Sequence, residues 1–213
     1  MKHSKLPAVV LVVLVVVLMG ALLGKGKVYF IRGFDASSGS KGPACGMDSL
    51  YTRYVGLPAH DAAVYYDHWD VEYAVVADIL SVRRANPSEH FVIVGHSYGA
   101  MTAIQIARSL RYSITIDLLV LADAVDTLRT GNNTDIPPNV TRVVNRYQTG
   151  GLFHGAPVTV HGTLNEGDWT GLLFKDPATG GTSGTKINHT NIDDDLDFQT
   201  QALAEIQLHD TTP

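Results

Sequence analysis

The pentapeptide Gly95-His96-Ser97-Tyr98-Gly99 places a hydroxyl nucleophile between two glycines, one two residues before it and one two residues after it. A serine at a sharp strand-to-helix turn needs small residues at those positions, because larger side chains would collide there. The turn lifts the serine hydroxyl above the sheet and puts a helix N-terminus behind it, which favours a developing negative charge. Ser97 is therefore the candidate nucleophile. The alternative is a tight turn in which the serine has no chemical role.

A nucleophilic serine needs a base, and the base needs a carboxylate that orients it. Four histidines follow Ser97 in the chain. We favour His189, because it lies in a polar loop directly before the last predicted helix. The other three are His154 and His161, in a glycine-rich stretch, and His209, which we place beyond the final helix.

The best candidate for the acid is Asp123, which follows the buried apolar run 116–121. A carboxylate at the C-terminal end of a parallel strand points to the edge of the sheet where ligands bind. A rival comes from residues 158–162, which also read as a strand leading to an acidic turn. The alternatives that stay open are Asp126, in the same loop as Asp123, and Glu166 and Asp168, in the acidic turn.

Two backbone N–H groups are expected to hold the oxyanion of the transition state. One belongs to Tyr98, directly after the nucleophile. The other is predicted at Phe34, in the turn Arg32-Gly33-Phe34 that follows the first strand. Gly33 permits a close approach of the backbone, although a plain turn glycine is the alternative interpretation.

Short apolar runs alternate with helical periodicity along the chain from Lys27 onward. This alternation is typical of βαβ units and predicts an α/β fold with a mainly parallel central sheet flanked by helices. The predicted strands are residues 28–31, 62–66, 91–94, 116–121 and 140–147. The predicted helices are residues 47–54, 71–84, 99–110 and 196–208, and the glycine-rich residues 180–184 are assigned to a loop.

Length and composition narrow the class of protein. A chain of 213 residues fits one globular domain with a short N-terminal appendage. The formal net charge of −5, without any basic run, gives no reason to expect a nucleic-acid partner. The single cysteine, Cys45, excludes an internal disulfide framework and a multi-cysteine metal site.

The N-terminus has a different character. Residues 6–24 carry no charge, and nineteen helical residues would span about 28 Å, close to the roughly 30 Å hydrocarbon core of a bilayer. Sites for cleavage of a signal peptide are poor, so the pattern favours an uncleaved signal anchor. We predict an anchor over residues 1–26 and a catalytic domain over residues 27–213. The protein would be membrane-anchored, or secreted or periplasmic if the segment is cleaved.

The elbow at Ser97, the turn at Gly33, Asp123 and His189 together resemble the lipase-like α/β-hydrolases, and most of all their small bacterial lipase- or thioesterase-like members. In those proteins an aspartate follows the strand after the elbow helix, and a D-H-x-x-I-D-x-D-like segment carries the histidine. The segment 188–195 is similar to that second motif. The resemblance covers roughly residues 27–208. Arg32 departs from it, since many relatives have histidine there.

The resemblance implies an α/β-hydrolase fold and an enzyme that cleaves small-molecule or lipid-like acyl esters through Ser97, His189 and Asp123. It implies neither a metal nor an organic cofactor. A thioesterase, acyltransferase or peptidase would use the same triad. From a different class, a catalytically inactive, membrane-anchored binding protein that kept the fold is the alternative.

Overall fold

The largest sheet of the computed structural model has six strands. The model describes residues 26–33, 46–125, 134–151 and 153–210. The strand order is β2-β1-β3-β4-β5-β6, and every neighbouring pair is parallel. The prediction of an α/β fold with a mainly parallel sheet is confirmed. The strands are β1 (Lys27–Ile31), β2 (Ala62–Tyr66), β3 (Phe91–His96), β4 (Ile116–Ala122), β5 (Val140–Tyr147) and β6 (Thr163–Asp168).

Helices cover both faces of this sheet. In the described ranges they are α1 (Gly46–Val55), α2 (Glu72–Ala85), α3 (Tyr98–Ser109) and α4 (Leu196–Asp210). Helices α2 and α3 pack together on one face, and α1 and α4 pack together on the other. A small antiparallel hairpin, β7 (Leu173–Lys175) and β8 (Thr182–Lys186), precedes α4.

The central strands contain continuous apolar runs, such as residues 28–31 of β1 and 91–94 of β3, because both of their faces are buried. In strand β1, successive side chains alternate between the cores on the two faces of the sheet. Tyr29 and Ile31 contribute to the core beneath α2 and α3, while Val28 and Phe30 contribute to the core beneath α1 and α4. All four side chains are fully buried. Strand β3 follows the same alternation and ends at His96, so Ser97 emerges directly from the most buried part of the sheet.

The strand order reverses between β1 and β3. The chain adds β2 on one side of β1 and then places β3 on the other side. In open parallel sheets, ligands bind beyond the carboxyl ends of the strands at such a switch point. Gly33 follows β1 and Ser97 follows β3, so both lie at this position.

The sixth strand differs from the prediction. Residues 158–162 are not a strand, apart from one bridge between Asp135 and Thr159. The strand is β6, and it contains both Glu166 and Asp168, which were predicted in a turn. As an edge strand with partly exposed side chains, β6 needs no apolar alternation, and its sequence Thr-Leu-Asn-Glu-Gly-Asp shows none.

Two smaller predictions near the C-terminus were wrong. His209 lies inside α4, which extends to Asp210, and not beyond it. Burial there lowers the pKa of His209 below its ordinary value. The glycine-rich residues 180–184 are also not simply a loop, because β8 begins at Thr182 and pairs with β7.

The predicted membrane anchor, residues 1–26, lies almost entirely outside the described residues, which begin at Gly26. Among the helices of the described ranges, none is long and apolar enough to cross a bilayer. The anchor therefore stays a prediction from the sequence.

Candidate active site

The backbone at Ser97 has the geometry of a sharp strand-to-helix turn. Its φ and ψ are 56° and −124°, values that non-glycine residues rarely adopt and that cost roughly 1–3 kcal/mol. A Cβ at Gly95 would lie 2.5 Å from the carbonyl oxygen of Gly99, and a Cβ at Gly99 would lie 2.4 Å from that of Ile31. The predicted collision of larger residues at both glycines is confirmed.

Ser97 contacts the predicted base. Its Oγ lies 2.8 Å from Nε2 of His189, 92 residues later in the chain. The loop that carries His189 is anchored on both sides, since Ile187 and Ile192 are buried in the core beneath α1 and α4. Asn188 also stabilises this loop, because its side-chain oxygen accepts a hydrogen bond from the N–H of Thr190 at 2.9 Å.

The other nitrogen of His189 contacts Asp123. The distance from Nδ1 to Oδ2 is 2.7 Å, and the Asp123 side chain is fully buried. Asp123 directly follows β4 and has a positive φ of 47°. The same carboxylate accepts three further hydrogen bonds, from the backbone N–H and side-chain Nε2 of Gln148 and from the N–H of Gly155.

These hydrogen bonds determine which atoms of Asp123 and His189 carry protons. Burial raises the pKa of Asp123, but the hydrogen bonds from His189 and Gln148 outweigh it and hold that pKa below its ordinary value. The carboxylate of Asp123 is therefore ionised and can only accept. Nδ1 of His189 then carries the ring proton, which leaves the lone pair of Nε2 facing the hydroxyl of Ser97. A base in this tautomer can accept the serine proton.

The other candidate acids and bases are placed elsewhere. The carboxylate of Glu166 accepts hydrogen bonds from Asn145 and from the N–H of Val158, and Asp168 holds Thr170. Within the described residues, Asp123 is the acid in contact with His189. The histidines not brought to Ser97 are His154, His161 and His209, and Asp126 lies outside the described residues.

One of the two predicted oxyanion donors lies beside the nucleophile. Tyr98 is the first residue of α3, and first-turn N–H groups point towards the N-terminal end of a helix, here towards Ser97. Phe34 lies outside the described residues. Gly33 approaches the nucleophile closely, since a Cβ there would lie 2.8 Å from Cβ of Ser97. The backbone after β1 thus reaches Ser97 only because residue 33 is glycine.

Aromatic side chains border the triad. The ring of Phe153 lies 5.8 Å from that of His189 and is half exposed. On the other side, Trp69 pairs with Tyr98 at a centroid distance of 5.5 Å. The carbonyl of Trp69 accepts a hydrogen bond from the hydroxyl of Thr102 in α3, which fixes its loop on that helix. Phe153 thus offers an apolar surface beside His189, and Trp69 offers one beside Tyr98.

Sequence reasoning missed several residues that support the triad. Gln148 and Gly155 enclose Asp123, and a Cβ at Gly155 would lie 2.6 Å from Oδ1 of that carboxylate. Neither residue belongs to a motif, so no local signal marks them. His96 contacts the carbonyl of His189, and its place inside the elbow pentapeptide was a signal that could have drawn attention to it.

No family model and no curated protein matches this chain. In the described ranges, no three histidine, cysteine, aspartate or glutamate side chains are gathered as metal ligands.

Proposed function

We propose that this protein is a serine hydrolase with an α/β-hydrolase fold that cleaves carboxylic esters of small-molecule or lipid-like acyl groups. The observation that carries the proposal is the relay Ser97 Oγ–His189 Nε2 at 2.8 Å and His189 Nδ1–Asp123 Oδ2 at 2.7 Å. Three segments far apart in the chain meet in this relay at the switch point of a parallel sheet. The strained backbone of Ser97 supports the same proposal, since such strain concentrates at functional sites.

In the acylation step, Oγ of Ser97 attacks the ester carbonyl carbon while Nε2 of His189 takes the hydroxyl proton. Asp123 keeps the imidazole in the required tautomer and stabilises the imidazolium that forms. The N–H groups of Tyr98 and Phe34 are the proposed donors to the oxyanion. Collapse of the tetrahedral intermediate breaks the bond between the carbonyl carbon and the alcohol oxygen, and the alcohol leaves with the proton from His189.

In the deacylation step, His189 takes a proton from water, and the resulting hydroxide attacks the acyl-enzyme. The bond to Ser97 Oγ breaks and Ser97 regains its proton from His189. The net reaction converts one ester and one water into one carboxylic acid and one alcohol. These steps use the ester, one water, and side chains and backbone N–H groups of this chain.

Labelling with a fluorophosphonate tests the proposal. Wild-type protein should form a covalent adduct at Ser97, and Ser97→Ala should form none. Ser88→Ala is the matched control, because Ser88 is exposed between α2 and β3 at the opposite end of the sheet. Wild-type protein that labels no more than Ser97→Ala would favour the binding-protein alternative and overturn the enzyme proposal.

A matched set of nitrophenyl esters, the corresponding thioesters and the anilides separates ester hydrolysis from thioesterase and peptidase activity. The proposal expects the highest kcat/KM for the esters, with Ser97→Ala lower by several orders of magnitude. Varying the acyl chain length of the nitrophenyl esters then tests whether the acyl group contacts Phe153 and Trp69. Preference for thioester or anilide would leave the triad in place and change the substrate class.

We also propose that residues 1–26 attach the domain to a membrane. The uncharged segment 6–24 supports this. The full chain should remain in the membrane pellet after alkaline carbonate extraction. Release into the supernatant, or a mature chain that lacks these residues, would overturn the anchor.

A further inference from the structure

We infer that His96 is a positioning residue that holds the catalytic base against Ser97; the inference rests on the proposed function. Nε2 of His96 lies 2.8 Å from the backbone carbonyl oxygen of His189. A carbonyl oxygen only accepts, so Nε2 of His96 carries the proton of this hydrogen bond. The residue before the nucleophile is thereby joined to the backbone of the residue that must remove the nucleophile's proton.

The direction of the His96 side chain follows from the alternation of β3. Val92 and Val94 point towards the core beneath α1 and α4, so His96 points to the same face. The loop of His189 arrives on that face because it leads into α4. Ser97 and His96 therefore contact the two ends of one residue, its side chain and its carbonyl. The rings of His96 and His189 lie 5.1 Å apart.

Asp193 holds the other side of the His96 ring. Its Oδ2 lies 3.4 Å from Nδ1 of His96, and its side chain is 1% exposed. This contact places the Asp193 carboxylate against the ring of His96, on the side away from the His189 carbonyl.

The Asp193 segment is itself fixed on two helices. Oδ2 of Asp193 accepts a hydrogen bond from the N–H of Met47 in the first turn of α1, a favourable position for a carboxylate. The Asp193 carbonyl accepts one from Gln199 of α4 at 3.2 Å. At Gly46, a Cβ would lie 2.0 Å from the carbonyl carbon of Asp193. A series of contacts thus joins α1 through Asp193 and His96 to the backbone of His189.

The expected consequence of losing His96 is a misplaced base. In His96→Leu the ring donor is absent, the loop of His189 gains freedom, and Nε2 is no longer held at hydrogen-bond distance from Ser97. Displacement of a catalytic group by about 1 Å costs on the order of 100-fold in rate. We expect kcat on a nitrophenyl ester to fall roughly 10- to 100-fold. The KM should change little, because the His96 side chain is only 11% exposed and is assigned a contact with His189, not with substrate.

Two variants separate positioning from mere packing. His96→Gln carries an amide N–H that can replace Nε2 as the donor to the His189 carbonyl, so it should recover most of the lost kcat. His90→Leu is the matched control. His90 precedes β3, at the opposite end of the sheet, and also pairs with an aspartate, since its Nδ1 lies 3.2 Å from Oδ1 of Asp117. It should leave kcat within a few-fold of wild type.

Hydrogen exchange gives a readout that does not depend on activity. The peptide that covers residues 187–195 should exchange faster in His96→Leu than in wild type, His96→Gln or His90→Leu. Unchanged exchange, or a kcat of His96→Leu within a few-fold of wild type, would overturn the inference. Equal losses in His96→Leu and His96→Gln would also overturn it. A different result is also decisive: wild-type protein does not label at Ser97, but residues 187–195 still exchange faster in His96→Leu than in wild type. That result would refute the proposed function and would leave the contact between His96 and His189 standing.

Discussion

Ser97 and Asp123 end neighbouring strands of the sheet, and both have a positive φ, 56° and 47°. They are the two non-glycine residues with this conformation in the described ranges. The N–H of Ser97 donates to the carbonyl of Ala122 at 2.9 Å, which joins the two turns directly. The proposed nucleophile and the proposed acid thus follow adjacent strands, each with a positive φ, and His189 lies between their side chains.

Replacing Asp123 by asparagine should cost about 10⁴-fold in kcat, because the amide no longer selects the tautomer with a proton on Nδ1 of His189. Steady-state hydrolysis of a nitrophenyl ester measures this. Asp168→Asn is the control, since Asp168 holds Thr170 at the end of β6 and does not contact His189. Comparable losses in the two variants would contradict the assignment of Asp123 as the acid.

Gln148→Leu should weaken the support of Asp123. The variant loses the side-chain N–H that donates to Oδ2 at 2.8 Å, a hydrogen bond to a charged group worth roughly 1.5–3 kcal/mol. We expect kcat to fall about tenfold and the free energy of unfolding to decrease by roughly 1.5–3 kcal/mol, the energy of that hydrogen bond. Kinetics and urea denaturation check both. The neighbouring Thr149→Val should leave kcat near wild type, and an active, fully stable Gln148→Leu would refute the role.

Gly99→Ala should destabilise the fold, because its Cβ would lie 2.4 Å from the backbone oxygen of Ile31 and β1 would have to shift. Overpacking of this kind costs roughly 1–3 kcal/mol. Gly184→Ala is the matched control, since a Cβ at Gly184 meets nothing within 4 Å. Urea midpoints should therefore fall clearly for Gly99→Ala alone. Equal midpoints for the two variants would show that the elbow tolerates a methyl group.

Asp194→Asn should stabilise the protein at alkaline pH and not at acidic pH. Burial, and then the charges of Asp193 and Asp48, raise the pKa of Asp194 to about 7 in the folded state. An unfolded aspartate has a pKa near 3.8. Between these values the folded chain binds the proton more tightly, so the free energy of unfolding contributed by this group declines as pH rises from about 4 to 7.

Thermal unfolding at pH 4 and pH 8 measures this difference. Because Asp194 is partly exposed, the expected gain in the free energy of unfolding of Asp194→Asn at pH 8 is on the order of 1 kcal/mol. Asp70→Asn, at an exposed position, is the control for the removal of one negative charge. A gain for Asp194→Asn that is equal at both pH values would contradict the raised pKa.

Much of the fold was predictable because its signals are local. Continuous apolar runs mark β1, β3 and β4, since strands buried on both faces favour apolar residues at consecutive positions. The edge strand β6 was not predictable, because its polar sequence Thr-Leu-Asn-Glu-Gly-Asp lacks the alternation of a half-buried strand. It joins the sheet through backbone pairing with β5, which leaves no trace in side-chain periodicity.

The sequence by itself determined the candidate nucleophile, since Ser97, its glycines, the buried strand and the following helix are consecutive in the chain. Only the tertiary structure decided which acid faces His189, because the choice between Asp123 and Glu166 or Asp168 depends on strand order and on loops that meet across the sheet. The same holds for Gln148, Gly155 and Asp193. Hydrogen bonds between residues 25 to 146 positions apart carry no mark in local sequence, and they form only when packing brings their segments together.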